Sequence, residues 1–172
     1  RNADAAMYYA KEQGRNTYQF YTAAMHAKSF EKMLLECNLR RALEREEFAV
    51  YYQPLVNINT GQVVGMEALV RWQHPERGLV LPEEFLPLSE NTRLIVFIDE
   101  LVLYTVCAQC KAWQDAGHQP PSIAVNISVH TFQQPNFVEM VVSVLQKTGL
   151  DPQFLGLEIT EGIAMQDTET TI

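Results

Sequence analysis

No apolar run in this chain approaches the roughly 20 residues that a membrane-spanning helix needs. Nor does any stretch show the charged, apolar and small-residue sectors of a signal peptide. Both absences remain compatible with an anchor elsewhere in a longer parent protein. Cysteine is scarce: three in 172 residues, which argues against a disulfide scaffold. Cys107-x-x-Cys110 has redox or zinc spacing, but there is no second cysteine pair and no histidine at a zinc-finger interval. The pair falls in Leu101–Trp113, which reads as a helix, so two core-facing thiols are expected. Reduced thiols fit a cytoplasmic protein. Positive charge is short as well. Thirteen Lys and Arg stand against 21 Asp and Glu, a net charge of −8, with no basic stripe to track a nucleic-acid polymer.

What the chain does have is one small pattern three times: a residue with little or no side chain, any residue, then a polar group. The instances are Gly65-x-Glu67, Ala124-x-Asn126 and Gly156-x-Glu158. Each lies in a run that alternates apolar and other residues, over Val63–Trp72, Ser122–Val129 and Phe154–Gly162. Period two predicts strands, with each polar group on the same face as the small residue two positions earlier. A single glutamate in a strand also fits a solvated outward face. On three buried strands, however, two carboxylates and an amide oxygen need a partner, and a hard divalent cation would serve.

The wider pattern predicts a helix over 4–12 stopped by Gly14, a short strand over 16–21 and an amphipathic helix over 27–47. A strand over 48–55 turns through Asn57-Ile58-Asn59-Thr60-Gly61 into the strand carrying Glu67, which makes a hairpin. A polar loop, Gln73–Gly78, follows, in which His74 reads as a surface residue. Helices are expected over 82–90, 93–116 and 136–148, strands over 122–129 and 155–159, and a further helix from Thr168. After the hairpin, strands alternate with helices. That order predicts a parallel α/β barrel or open sheet with its polar groups at the catalytic face. Such barrels need about 250 residues, and residues 48–172 supply roughly half.

An ordered set of motifs sharpens this reading. It runs through Tyr52-Gln53-Pro54, Glu67-Ala68-Leu69-x-Arg71-Trp72, Pro82-x-x-Phe85-Leu86-Pro87-Leu88, Val125-Asn126-x-Ser128 and Leu157-Glu158-Ile159-Thr160-Glu161. From about Glu46 onward the chain resembles the EAL family of cyclic di-GMP phosphodiesterases, named for the tripeptide found here as Glu67-Ala68-Leu69. Residues 3–16, from Ala3 to Asn16, resemble the closing helix and turn of a GGDEF (diguanylate cyclase) domain. The resemblance implies a GGDEF remnant over 1–24, a linker helix over 25–47 and the N-terminal half of an EAL domain over 48–172. It also implies a TIM-barrel-like fold whose first strand is antiparallel, in agreement with the hairpin.

The same resemblance implies roles. Glu67, Asn126 and Glu158 would bind a divalent metal, Mg²⁺ or Mn²⁺. Glu161 would brace a loop over the site, and Glu67 and Glu161 would be its catalytic residues. Gln53, Leu69 and Arg71 would contact the substrate, cyclic di-GMP, with Arg71 near a phosphate. Parity agrees, because Glu67, Leu69 and Arg71 share a strand face; an internal salt bridge between Arg71 and Glu67 is the competing expectation. The expected reaction is metal-assisted hydrolysis to linear pGpG. The family's Asp-Asp pair and catalytic lysine would fall beyond Ile172. No Asp-Asp occurs here and the last lysine is Lys147, so these residues alone are expected to be inactive. Two other readings stand beside the enzyme: a cyclic di-GMP receptor that binds without cleaving, and a scaffold that forms a homodimer through its linker helix.

Overall fold

The computed structural model describes residues 22–159 continuously, together with Met7, Tyr18 and Phe20; for residues 23–32 and Asn91 it describes the backbone only. Met7 is helical, and Tyr18 and Phe20 lie in no strand. The rest of the expected 4–12 helix and 16–21 strand lies outside the described residues, as do Glu161 and the helix from Thr168. By contact pattern the chain divides into two units, residues 1–41 and 42–172. The first contains most of helix α1 (Ala23–Glu44).

The second unit is built on a five-stranded sheet. Strand β1 (Phe48–Val56) pairs antiparallel with β2 (Val63–His74), as the hairpin predicts. Asn57 closes the turn between them, its Oδ1 accepting from the backbone N–H of Asn59 and Thr60 at 3.0 and 3.2 Å. Such self-capping is why asparagine suits turns. Strand β4 (Ile123–Ile127) then pairs parallel with β2, and β5 (Leu155–Ile159) pairs parallel with β4. The order β1-β2-β4-β5, with helices between the parallel members, is the expected α/β arrangement.

One hairpin was not expected. Strand β2 runs on to His74 and pairs with β3 (Gly78–Val80), so the predicted loop 73–78 is a tight turn between strands. Gly78 adopts φ 72°, a left-handed conformation open to glycine. The surface reading of His74 is corrected here. It is 5% exposed, packs on Trp72, and its Nδ1 accepts from the N–H groups of Glu76 and Arg77 at 3.1 and 3.2 Å. A buried histidine holds this turn.

Helices α2 (Pro82–Asn91) and α3 (Ile95–Asp115) follow, then a single turn α4 (Val129–Phe132) and α5 (Phe137–Thr148). Pro82 at the first position and Glu83 and Glu84 in the first turn suit a helix N-terminus. Gly149, at φ 69°, ends α5 in the left-handed region. The helices cover one face of the sheet. Trp72, Phe85, Ile98, Leu103, Val106, Ile123 and Val125 are all sealed there. Cys107 and Cys110 are fully buried on α3, so the core-facing reading of both thiols holds.

Candidate active site

The opposite face of the sheet carries every expected site residue that the structure describes. Cross-strand partners point to the same side. Gln53 stands opposite Glu67, Tyr51 opposite Leu69 and Ala49 opposite Arg71. Across the parallel ladder Glu67 is level with Ala124, and Ala124 with Gly156. Asn126 is level with Glu158. One row therefore reads Gln53, Glu67, Ala124, Gly156. In the next, toward the carboxyl ends of β4 and β5, Asn126 stands beside Glu158.

This arrangement gives the small-x-polar pattern a spatial meaning. Beside Glu67, the β4 and β5 positions hold only a methyl group and a hydrogen, so neither side chain stands between Glu67 and the row of Asn126 and Glu158. A methyl group built on Gly156 would meet the Ala124 Cα at 3.5 Å, ordinary contact, so no backbone clash dictates glycine there. Gly65 differs. A Cβ there would come within 3.2 Å of Leu55 Cδ1, so its small size serves packing.

Glu67 and Asn126 touch directly: the Asn126 Nδ2 donates to Glu67 Oε1 at 2.7 Å. That bond turns the amide oxygen Oδ1 away from the carboxylate and leaves it for another donor or a cation. In-register neighbours on adjacent strands stand about 4.8 Å apart, which sets Glu158 beside Asn126. The expected burial of all three groups, however, is corrected by the structure. Glu67 is half-buried, while Asn126 and Glu158 are exposed. Solvent can satisfy these groups, so desolvation does not by itself demand a cation. The case for one rests on three oxygen-bearing side chains standing on one sheet face in two adjacent rows. Among the described residues no three His, Cys, Asp or Glu side chains cluster to hold a metal; the set here is two carboxylates and an amide.

Arg71 makes no salt bridge to Glu67. Its Nη1 donates to the Val70 carbonyl at 2.8 Å, and its guanidinium carbon lies 5.9 Å from the centroid of Tyr51. Held over an aromatic ring on the site face, it keeps donors for an anion.

One polar residue of this region was overlooked in the sequence. Asp99 on α3 is 6% exposed, and its Oδ2 accepts from the Ser128 N–H at 2.9 Å and the Thr131 hydroxyl at 2.6 Å. Burial raises its pKa above the usual carboxylate range; the bonds from Thr131 and Ser128 oppose the rise, and the Glu90 charge adds to it. The signal was present. Asp99 shares the apolar helix face of Ile95, Val102 and Leu103, where an unpaired carboxylate would be costly. Asp99 and Asn126 also border a cleft of about 260 Å³ with Leu69, Leu86, Glu90 and Ser128.

A sheet sealed by helices on one face, with carboxylates and an amide gathered near its strand carboxyl ends on the other, defines an α/β barrel-type domain with an oxygen-rich site. The particular family follows from comparison. This chain belongs to the EAL domain family, whose model matches residues 36–172. It is 46% identical over 171 residues to the bifunctional diguanylate cyclase/cyclic di-GMP phosphodiesterase MucR of Pseudomonas aeruginosa, covering 99% of this chain and 25% of that protein. The PaMucR phosphodiesterase solved as a c-di-GMP complex superposes with a TM-score of 0.77 at 44% identity, covering 80% of this chain and 56% of that one. The EAL enzyme Bd1971, in its cAMP-bound form, gives a TM-score of 0.74 at 28% identity, covering 83% and 41%. The chain thus spans about a quarter of the length of its MucR relative, and its sheet is part of a TIM-barrel-like EAL fold with the first strand antiparallel.

Proposed function

We propose that this chain supplies the N-terminal part of a metal-dependent phosphodiesterase site that hydrolyses cyclic di-GMP to linear pGpG. The observation that carries the reading is the contact of Asn126 with Glu67, on the sheet face where Glu158 stands level with Asn126. An all-oxygen donor set suits Mg²⁺ or Mn²⁺. Glu67, Asn126 and Glu158 would hold it. Once bound, the cation supplies Lewis acidity and a lowered pKa for a ligated water. Three ligands are fewer than the six that Mg²⁺ takes. The remaining positions go to water, substrate phosphate or residues outside the described segment, and turnover by these residues alone is not expected.

The chain's own side chains orient the substrate. Arg71 offers two parallel N–H groups to a phosphate oxygen pair. Gln53, directly across from Glu67, can hydrogen-bond a guanine edge or ribose, while Leu69 contributes apolar contact. Glu161 would brace the loop after β5. Residues 1–24 are read as the end of an upstream GGDEF domain, in keeping with the bifunctional name of the MucR relative. Three free thiols suit a reducing cytoplasm.

The test is calorimetric titration of cyclic di-GMP into the full-length protein with calcium in place of magnesium, paired with a magnesium assay for pGpG. Binding and product formation that both vanish in Glu67→Ala support the enzyme. Binding without product would make the protein a receptor, and no binding would refute both readings.

A further inference from the structure

We propose that Asp99 is a positioning residue that sets the placement of Asn126, through a buried clamp on the chain that leaves strand β4. The clamp has three members. The Asp99 Oδ2 accepts from the Ser128 N–H and from the Thr131 hydroxyl. Ser128 Oγ lies 3.0 Å from Thr131 Oγ1 and accepts from the Thr131 N–H at 3.2 Å. Thr131 is fully buried and Asp99 nearly so, and among the described residues no buried side-chain polar atom lacks a partner. Ser128 is the residue at which β4 stops and α4 begins.

Asn126 lies two residues before Ser128, about 6–7 Å back along an extended chain. Its side chain stands on the open face, exposed, with Glu67 as its hydrogen-bond partner. One partner does not fix an exposed amide. What restricts it is the backbone beneath: on one side the pairing of β4 with β2 and β5, on the other the point where Asp99 anchors the strand end. The two ladders differ in length at this point, since the β2–β4 ladder covers only Met66–Ala68 against Ile123–Val125. Asn126 is thus past the last β2 pair and paired on the β5 side alone. The Asp99 clamp supplies the missing restraint from the helical layer. A shift of about 1 Å at a ligand is enough to cost a site two orders of magnitude, and partners that orient ligands are worth about 10–100-fold in metal affinity.

The inference rests on the proposed metal site, and its test separates the two. In the full-length protein, Asp99→Ala, Asp99→Asn and Thr131→Val are compared with Val144→Ala, a core truncation in α5. Two quantities are read: the NMR signals of the Asn126 side-chain amide without metal, and Mn²⁺ affinity by calorimetry. Asp99→Ala is expected to shift the amide signals and weaken Mn²⁺ about tenfold or more. Asp99→Asn should keep both near wild type, because its amide oxygen accepts both bonds. Val144→Ala should lower the melting temperature and move neither. Asp99→Ala protein that melts earlier but leaves the Asn126 signals unchanged overturns the inference. If that variant does not fold, Thr131→Val must move the same signals, and unchanged signals overturn the inference as well. Wild-type protein that binds no Mn²⁺ refutes the metal reading instead, and the amide signals then decide the role of Asp99.

Discussion

Raising the pH from 8 to 11 should destabilise this domain, and Cys107 should carry a measurable part of the effect. The thiol is fully buried on α3. Burial, and secondarily the neighbouring Cys110, lift its pKa from the ordinary 9.0 to about 11. In the unfolded chain the thiol ionises near pH 9, while in the native protein it stays neutral until about pH 11. Between these values the folded state holds the extra proton, so stability falls as pH rises. The contribution is fully present below pH 9 and lost through pH 11. At about 1.36 kcal/mol per pH unit, the loss is on the order of 2–3 kcal/mol. Cys107→Ala removes the titration and leaves a small cavity, costing about 1 kcal/mol at pH 8. Urea unfolding of both proteins from pH 8 to 11 should show the wild-type advantage shrink and reverse near pH 10. Tyr52 and Cys110, also raised by burial, lower both curves; the charge of Cys107 adds to the rise at Tyr52, so that smaller part stays in the difference. A difference that stays constant over this range would refute the burial argument, as would rapid alkylation of Cys107 in native protein at pH 8.

Three further outcomes are expected. Arg71→Lys keeps the charge but loses the planar fork, and should weaken cyclic di-GMP binding about tenfold by calorimetry, Arg71→Ala more. Trp72→Phe removes the indole N–H that donates to Glu47 Oε2 at 3.0 Å, within the cluster of Phe48 and Phe85. Chemical denaturation should show a loss of about 2 kcal/mol. Gly149→Ala forces a side chain into φ 69° at the end of α5 and should cost ~1 kcal/mol, read as a lower melting temperature, with Gly149→Asn milder.

Much of the site was legible because strand parity is a local property. Glu67, Leu69 and Arg71 share a face whatever the fold, and the small-x-polar offset recurs in all three strands. The turn at Asn57–Gly61, the proline start of α2 and the glycine end of α5 were equally readable, since each depends on the conformation of a few adjacent residues. His74 was not. A histidine before proline in a polar stretch reads as surface until the β2–β3 hairpin folds it onto Trp72. Asp99 was missed for a related reason. Its partners, Ser128 and Thr131, are about 30 positions away.

By itself, then, the sequence determined most of the strands and helices, though not β3 or the single turn α4, and with them which side chains share a face and which family's motifs they spell. Those follow from backbone period, capping and turn chemistry, which act over a few residues. Register and exposure were decided only in three dimensions. Pairing sets Gln53 opposite Glu67 and brings Asn126 against it across 59 positions. The packing of helices on one face alone leaves Asn126 and Glu158 in solvent, where their period-two pattern had suggested burial. A strand's own residues specify its two faces; what covers each face is specified by distant parts of the chain.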